Sequence, residues 1–188
     1  MPIRRLFLIR HGETEGESSI RYHGKGDIPL STEGRLQMEI VAARMRGQSV
    51  DVWAASTLQR SWMSARIASD GAAVRLDGDF REVDFGRWEG RTAEEIKARD
   101  PEAFEQWQAS TAGFDYPEGE TSAAFQSRVA AARDRLLADR GHTAAAVLHR
   151  GVIRSIVRGL TGEELDRAEP ELGGQIVLVK PNSGWAIS

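Results

Sequence analysis

The sequence predicts an α/β fold: a three-layer sandwich with a mostly parallel central sheet and helices on both faces. Three observations point to it. Short apolar runs recur along the chain, and most end in turn or polar residues. Segments with the 3.6-residue spacing of amphipathic helices lie between them. Strands that alternate with helices imply a largely parallel sheet covered on both sides.

Leu6 to Ile9 reads as the first buried strand, and Ser31 as the N-cap of a helix carrying Leu36, Ile40, Val41 and Met45 on its apolar stripe. Val52 to Ala55 is the second strand. Thr92-Ala93-Glu94-Glu95 is a capping-box signature, and Asp100-Pro101 ends that helix and starts another with Pro101 at its first position. This pair forms a helical insertion. The stripe Phe125, Val129, Ala132 and Leu136 precedes a third strand, Ala144 to Leu148. Val152, Ile153, Ile156, Val157 and Leu160 mark the next helix, and Ile176 to Val179 the last strand. No repeat, low-complexity tract or linker divides the chain, so a single domain over residues 1–188 is expected. A chain of this length buries roughly 70% of its unfolded surface and needs neither disulfide nor structural metal.

Composition removes several chemistries. There is no cysteine, hence no thiolate nucleophile and no cysteine-bearing zinc site, which agrees with a reducing cytoplasm. With 28 acidic against 25 basic side chains the net charge is −3, which argues against nucleic-acid or anionic-membrane partners. Any anion site must therefore be local. No run approaches the roughly 18 apolar residues of a membrane span. Arg4-Arg5 leads straight into an apolar strand rather than a signal-peptide core, so the expectation is a cytoplasmic protein. Its oligomeric state stays open.

In an open α/β sheet, ligands bind beyond the carboxyl ends of the strands. Arg10-His11-Gly12 closes the first strand, Ser56 to Arg60 follows the second, and His149-Arg150-Gly151 closes the third. An imidazole attacks phosphorus when one nitrogen is held protonated by a backbone carbonyl and the other lone pair is free, which suits His11 before Gly12. Arg10 and Arg60 can supply planar cationic forks to the phosphoryl oxygens, and His149 a further donor. A leaving oxygen also needs a proton. Glu82, Asp84 and Glu89 compete for that role in the block Arg81 to Gly90, and the spacing to Gly86 favours Glu82, whose pKa would have to be raised. His23 and His142 read as loop residues, and no histidine pair has the HExxH zinc spacing. The tryptophans read as core or pocket-wall packing. There is no G-x-S-x-G elbow and no Gly-Lys phosphate loop.

Leu8-Ile9-Arg10-His11-Gly12-Glu13-Thr14 resembles the RHGET signature of the histidine phosphatase superfamily, the phosphoglycerate-mutase-like proteins. Arg21-Tyr22-His23-Gly24 with Asp27 to Ser31 and Gly34, Ser56 to Arg60, Glu82 to Gly90, and Leu148 to Arg154 resemble further blocks of that family in the same order. The resemblance implies that His11 becomes phosphorylated, with Arg10, Arg60 and His149 around the phosphoryl group and Glu82 as general acid and then base. It also implies a wider phosphate and substrate set of Gly12, Thr14, Glu17, His23, Gly24 and Arg150, with a small phosphorylated substrate and no metal or other cofactor. Two departures stand out. Gly16-Glu17 replaces the family's Trp-Asn, which puts an acid near the anion site, and Arg150 replaces a glycine of the family's SHGG.

The acid block, Trp107 and Tyr116 to Thr121 resemble the phosphatase branch, α-ribazole phosphatase and broad-specificity phosphatases in particular. The implied activity is hydrolysis of a phosphomonoester. Phosphoglycerate mutase and a non-catalytic phospho-ligand binder are the alternatives. A protein-phosphohistidine phosphatase is a lesser variant, because such relatives often lack the acid assigned here to Glu82.

Overall fold

The computed structural model describes residues 2–110, 113–182 and 184–188. In chain order the elements are β1 (Arg5–Arg10), α1 (Thr32–Met45), β2 (Val52–Ser56), α2 (Gln59–Ala68), β3 (Val74–Asp77), α3 (Ala93–Arg99), α4 (Pro101–Ala109), α5 (Ser122–Leu137), β4 (Thr143–Leu148), α6 (Arg150–Thr161), β5 (Gln175–Val179) and β6 (Ala186–Ile187). The strands form one sheet in the order β3-β2-β4-β1-β5-β6. Neighbours from β3 to β1 are parallel, whereas β5 and β6 join antiparallel at one edge. Among the described residues no helix is long and apolar enough to cross a membrane.

Side chains alternate across the two faces of the sheet, as the period of two requires. Leu6 and Leu8 of β1 with Ala144, Ala146 and Leu148 of β4 meet Val129 and Leu136 of α5 and Val152, Ile153, Ile156 and Val157 of α6 on one face. Phe7 and Ile9 with Ala145 and Val147 meet Met38, Val41 and Met45 of α1 and Ala65 of α2 on the other. Each fully buried aliphatic side chain contributes about 1.5–3 kcal/mol by leaving water. The run of alanines in β4 lets both helical layers approach the central strand closely.

Local signals hold where a cap is involved. The Ser31 side chain accepts from the Gly34 amide at 3.0 Å, Thr92 and Glu95 close the reciprocal capping box, and Pro101 opens α4. The α1 stripe needs correction, because Leu36 and Ile40 are 56% and 57% exposed. The buried face runs through Gly34, Met38, Val41 and Met45 instead, because Gly34 packs on the backbone of Glu13 and sets the rotation of the helix. α2 escaped the apolar-stripe reading because Arg60, Ser61 and Ser64 are among the residues it buries. β3 and β6 are short, and β3 is only partly buried.

A third cluster, built on Val83, Phe85, Trp88, Ile96 and Phe104, joins α3 and α4 to the acid-bearing loop. The helical insertion thus packs onto the segment that carries Glu82.

Candidate active site

The parallel register sets the strand ends level: Arg10 pairs with Leu148 and Ala55 with Val147. His11 and His149, each one residue past its strand, consequently lie side by side with ring centroids 5.2 Å apart. His11 Nδ1 lies 2.7 Å from the carbonyl oxygen of its neighbour Gly12. Only a protonated Nδ1 can donate to a carbonyl, so the lone pair of the neutral ring resides on Nε2. Gly12 is required by close packing: a Cβ there would lie 2.3 Å from the Gly34 carbonyl oxygen. Its amide donates to Ser64 Oγ of α2 at 3.2 Å, which pins the turn after β1.

His149 Nε2 lies 2.7 Å from Ser56 Oγ at the end of β2. That oxygen already accepts from the Leu58 amide at 3.3 Å. With the Ser56 hydroxyl proton given to Nε2, the proton of His149 sits on Nδ1, a buried atom with no partner in the protein. Burial first, then the charge of Arg60 and further positive neighbours, hold both histidines well below 6.5. They are neutral at physiological pH, and the His11 lone pair lies on Nε2 at the cavity while the His149 ring stays buried behind it.

Arg60, fully buried on α2, donates to the carbonyls of Gly26, His23 and Gly24 at 2.6, 3.0 and 2.8 Å, and its Nε has no partner in the protein. Arg10 donates to Pro170 and Ser18 carbonyls, and its Nε is likewise unpartnered. Burial and the nearby Arg150 lower the Arg10 pKa to about 9, so it stays charged at neutral pH. Both guanidiniums are held by neutral carbonyls rather than by a direct ion pair, with Glu82 as a carboxylate near both.

Glu82 is buried in the same cavity, with Oε2 accepting from the Gly151 amide at 3.0 Å and Oε1 from the Val83 amide at 3.0 Å. Its rivals have other partners. Glu89 accepts from the amides of Gly24 and Gly26, both at 2.9 Å, and Asp84 pairs with Lys25 and the Gly86 amide. Arg128 of α5 anchors the Glu82 loop by donating to the carbonyls of Asp79, Arg81 and Glu82 while its fork grips both oxygens of Glu120 at 2.7 Å. Sequence reasoning missed Arg128, because only the tertiary fold brings α5 under that loop.

The cavity has a volume of about 390 Å³. Arg10, His11, His23, Glu82 and Arg150 line it, as does Gly151. Its walls include Tyr22, Phe85, Trp107 and Tyr116, and three further cations, Arg21, Arg154 and Arg167, reach it. Arg167 follows α6 and carries no motif that would have revealed it. His23 is fixed through Nε2 to the Gly16 carbonyl, and Gly24 packs so tightly that a Cβ would lie 1.9 Å from the Val83 carbonyl oxygen.

Of the expected phosphate residues, Arg10, His23 and Arg150 line the cavity, Gly12, Gly24, Arg60 and His149 are packed behind its lining, and Thr14 and Glu17 are engaged elsewhere. Glu17 is solvent-facing, adopts φ 58° and pairs with Arg21 at 3.2 Å, so the acid that replaces the family's asparagine turns away from the anion site. Thr14 is buried beneath the loop, where its hydroxyl bonds Ser18 Oγ at 2.8 Å and accepts from the Gly16 amide. It shapes the loop rather than lining the cavity.

Comparison with known proteins gives the family and the fold. A bifunctional protein of Mycobacterium tuberculosis is 35% identical over 158 residues, covering 82% of this chain and 43% of that protein. This chain thus spans less than half the length of that relative. The α-ribazole phosphatase of Shigella flexneri superimposes with a TM-score of 0.80 at 26% identity, covering 98% of this chain and 94% of that one. A mycobacterial glucosyl-3-phosphoglycerate phosphatase, solved with VO3, gives a TM-score of 0.83 at 26% identity, covering 98% and 97%. The model of the histidine phosphatase superfamily, branch 1, matches residues 6–176. Five blocks of sequence, one layered sheet and the paired histidines at its strand ends therefore lead to one conclusion: this chain belongs to branch 1 of the histidine phosphatase superfamily.

Proposed function

We propose that this chain hydrolyses a small phosphomonoester without a metal, through a phosphohistidine on His11. The observation that carries the reading is the bond from His11 Nδ1–H to the Gly12 carbonyl at 2.7 Å, which frees Nε2 in a cavity shared with Glu82. In the first step the Nε2 lone pair forms a bond to phosphorus, the P–O ester bond breaks, and protonated Glu82 gives its proton to the departing alcohol oxygen. In the second, Glu82 carboxylate takes a proton from water, the water oxygen bonds to phosphorus, and the P–N bond breaks with its electron pair returning to His11.

Arg10 and Arg60 supply fixed positive charge to the non-bridging oxygens, and the His149 Nδ1–H a neutral donor. Neutral histidines suit both roles, because an imidazolium at position 11 would have no lone pair to attack with. The phosphatase names of two solved relatives support hydrolysis, and an α-ribazole phosphate-like ester is one substrate to test.

Phosphate release is measured with EDTA present from α-ribazole phosphate, sugar phosphates, phosphoglycerates and an aryl phosphate, using wild type and His11→Ala. Release that survives EDTA and disappears in His11→Ala is expected, with an alkali-stable, acid-labile phosphoryl adduct on the His11 peptide by mass spectrometry. Phosphoryl movement between carbon positions that needs a bisphosphate primer would establish a mutase instead. No release from any ester would leave a phospho-ligand binder.

A further inference from the structure

The cavity holds more positive charge than one phosphoryl group can use. Five arginines line it, Arg10, Arg21, Arg150, Arg154 and Arg167, against one carboxylate, Glu82. Arg10 belongs to the phosphoryl site, and Arg21 is already matched by Glu17 and Glu95. The other three converge from α6 and the segment after it. Arg154 donates to the Asp166 carbonyl, and Arg167 donates to the carbonyls of Trp107, Gln108 and Ser110 while its guanidinium lies 4.9 Å over the Trp107 ring. Carbonyls orient these groups without cancelling their charge. The side chain of Arg150, half-buried, has neither a hydrogen bond nor an ion pair among the described residues.

The three cations share the cavity with Tyr22, Phe85, Trp107 and Tyr116, and an adjoining recess of about 190 Å³ shares Trp107, Tyr116, Arg154 and Arg167. Clustered like charges disfavour one another, so a second anion would relieve a repulsion already present in the free protein. We propose that the alcohol portion of the substrate carries a second anionic group, a carboxylate or another phosphate, bound by Arg150 and Arg154 beside an apolar or planar portion resting on the aromatic wall. This deepens the phosphatase reading, on which it rests for the position of the ester.

The test uses three non-hydrolysable ligands: phenylphosphonates with a para carboxamide, carboxylate or second phosphonate. Affinities are measured by calorimetry for wild type, Arg150→Gln, Arg150→Lys and Arg154→Gln. Wild type is expected to bind at least one of the two ligands with a second anionic group about tenfold or more tightly than the carboxamide, whose phosphonate is its one anionic group. The carboxylate and phosphonate arms tell which anion is preferred. That preference is expected to fall to about threefold or less in Arg150→Gln, to weaken in Arg154→Gln and to persist in part in Arg150→Lys, because a point charge remains. Equal affinity for all three ligands in wild type would overturn the proposal, as would an undiminished preference in both glutamine variants. Phosphate release from the matching aryl phosphates reports on hydrolysis separately: an anion preference without release overturns the phosphatase reading and leaves the second-anion site supported.

Discussion

The Gly151 amide donates to Glu82 Oε2 at 3.0 Å, and a Cβ built on Gly151 would lie 2.5 Å from Glu82 Oε1. The first turn of α6 therefore both binds the carboxylate and limits where it can stand. Gly151→Ala is expected to push the carboxylate aside, because a side-chain end yields more cheaply than backbone. A shift of that size costs activity more than stability. kcat should fall by roughly 10–100-fold, while the melting temperature stays close to wild type. A large loss of Tm with kcat preserved in the remaining folded protein would contradict this.

Glu82→Gln keeps the shape and removes the proton. Hydrolysis of alkyl phosphates should slow by about 10²–10⁴-fold. Aryl phosphates, whose leaving oxygens need less protonation, should lose less in the phosphorylation step. A plot of single-turnover rate against leaving-group pKa checks this: the variant line should be steeper than that of wild type. Parallel lines would take the acid role away from Glu82.

The two histidines make stability depend on pH. Their folded pKa values lie well below 6.5, mainly through burial and then through Arg60, so below pH 6.5 the unfolded chain binds protons that the folded chain refuses. Stability is fully present above about pH 6.5 and declines as pH falls toward the folded values. Each histidine contributes a slope of up to about 1.4 kcal/mol per pH unit in that window. Urea unfolding at pH 7.5, 6.5 and 5.5 measures it, and His149→Gln should flatten the dependence. The acid limb of kcat/KM should also lie below the ordinary imidazole value, because His11 keeps its lone pair there.

Arg128 spans three backbone carbonyls and both oxygens of Glu120, so its removal strands a partly buried carboxylate and frees the loop of Glu82. Arg128→Met should cost on the order of 2–4 kcal/mol by urea unfolding. Arg128→Lys should recover only part, since an ammonium cannot grip a carboxylate and three carbonyls with a planar fork. Full recovery by lysine would show that charge alone suffices.

The strands, the capped helices and the residues that follow each strand could be read locally. Ser31 and Thr92 act through neighbours three residues away and Pro101 through its own fixed φ, and His11 and His149 end apolar runs whose parallel pairing follows from the β-α alternation. The rotation of α1 could not be read in this way, because Gly34 packing on Glu13 overrides the spacing of Leu36 and Ile40. The fates of Glu17 and Thr14 were equally hidden, since a left-handed turn at residue 17 sends one side chain to solvent while the other folds under the loop.

The amino-acid sequence alone determined the α/β class and the family resemblance, and it singled out Arg10, His11, Arg60, His149 and an acid in the block Arg81 to Gly90 as candidates, because each carries its signal in adjacent residues. Only the tertiary structure decided that Glu82 rather than Glu89 or Asp84 enters the cavity, that Arg128 anchors its loop, and that Arg150, Arg154 and Arg167 crowd one wall. The physical reason is range: caps and strand patterns arise from contacts a few residues apart, whereas a binding site is made by charges and walls brought together from distant parts of the chain.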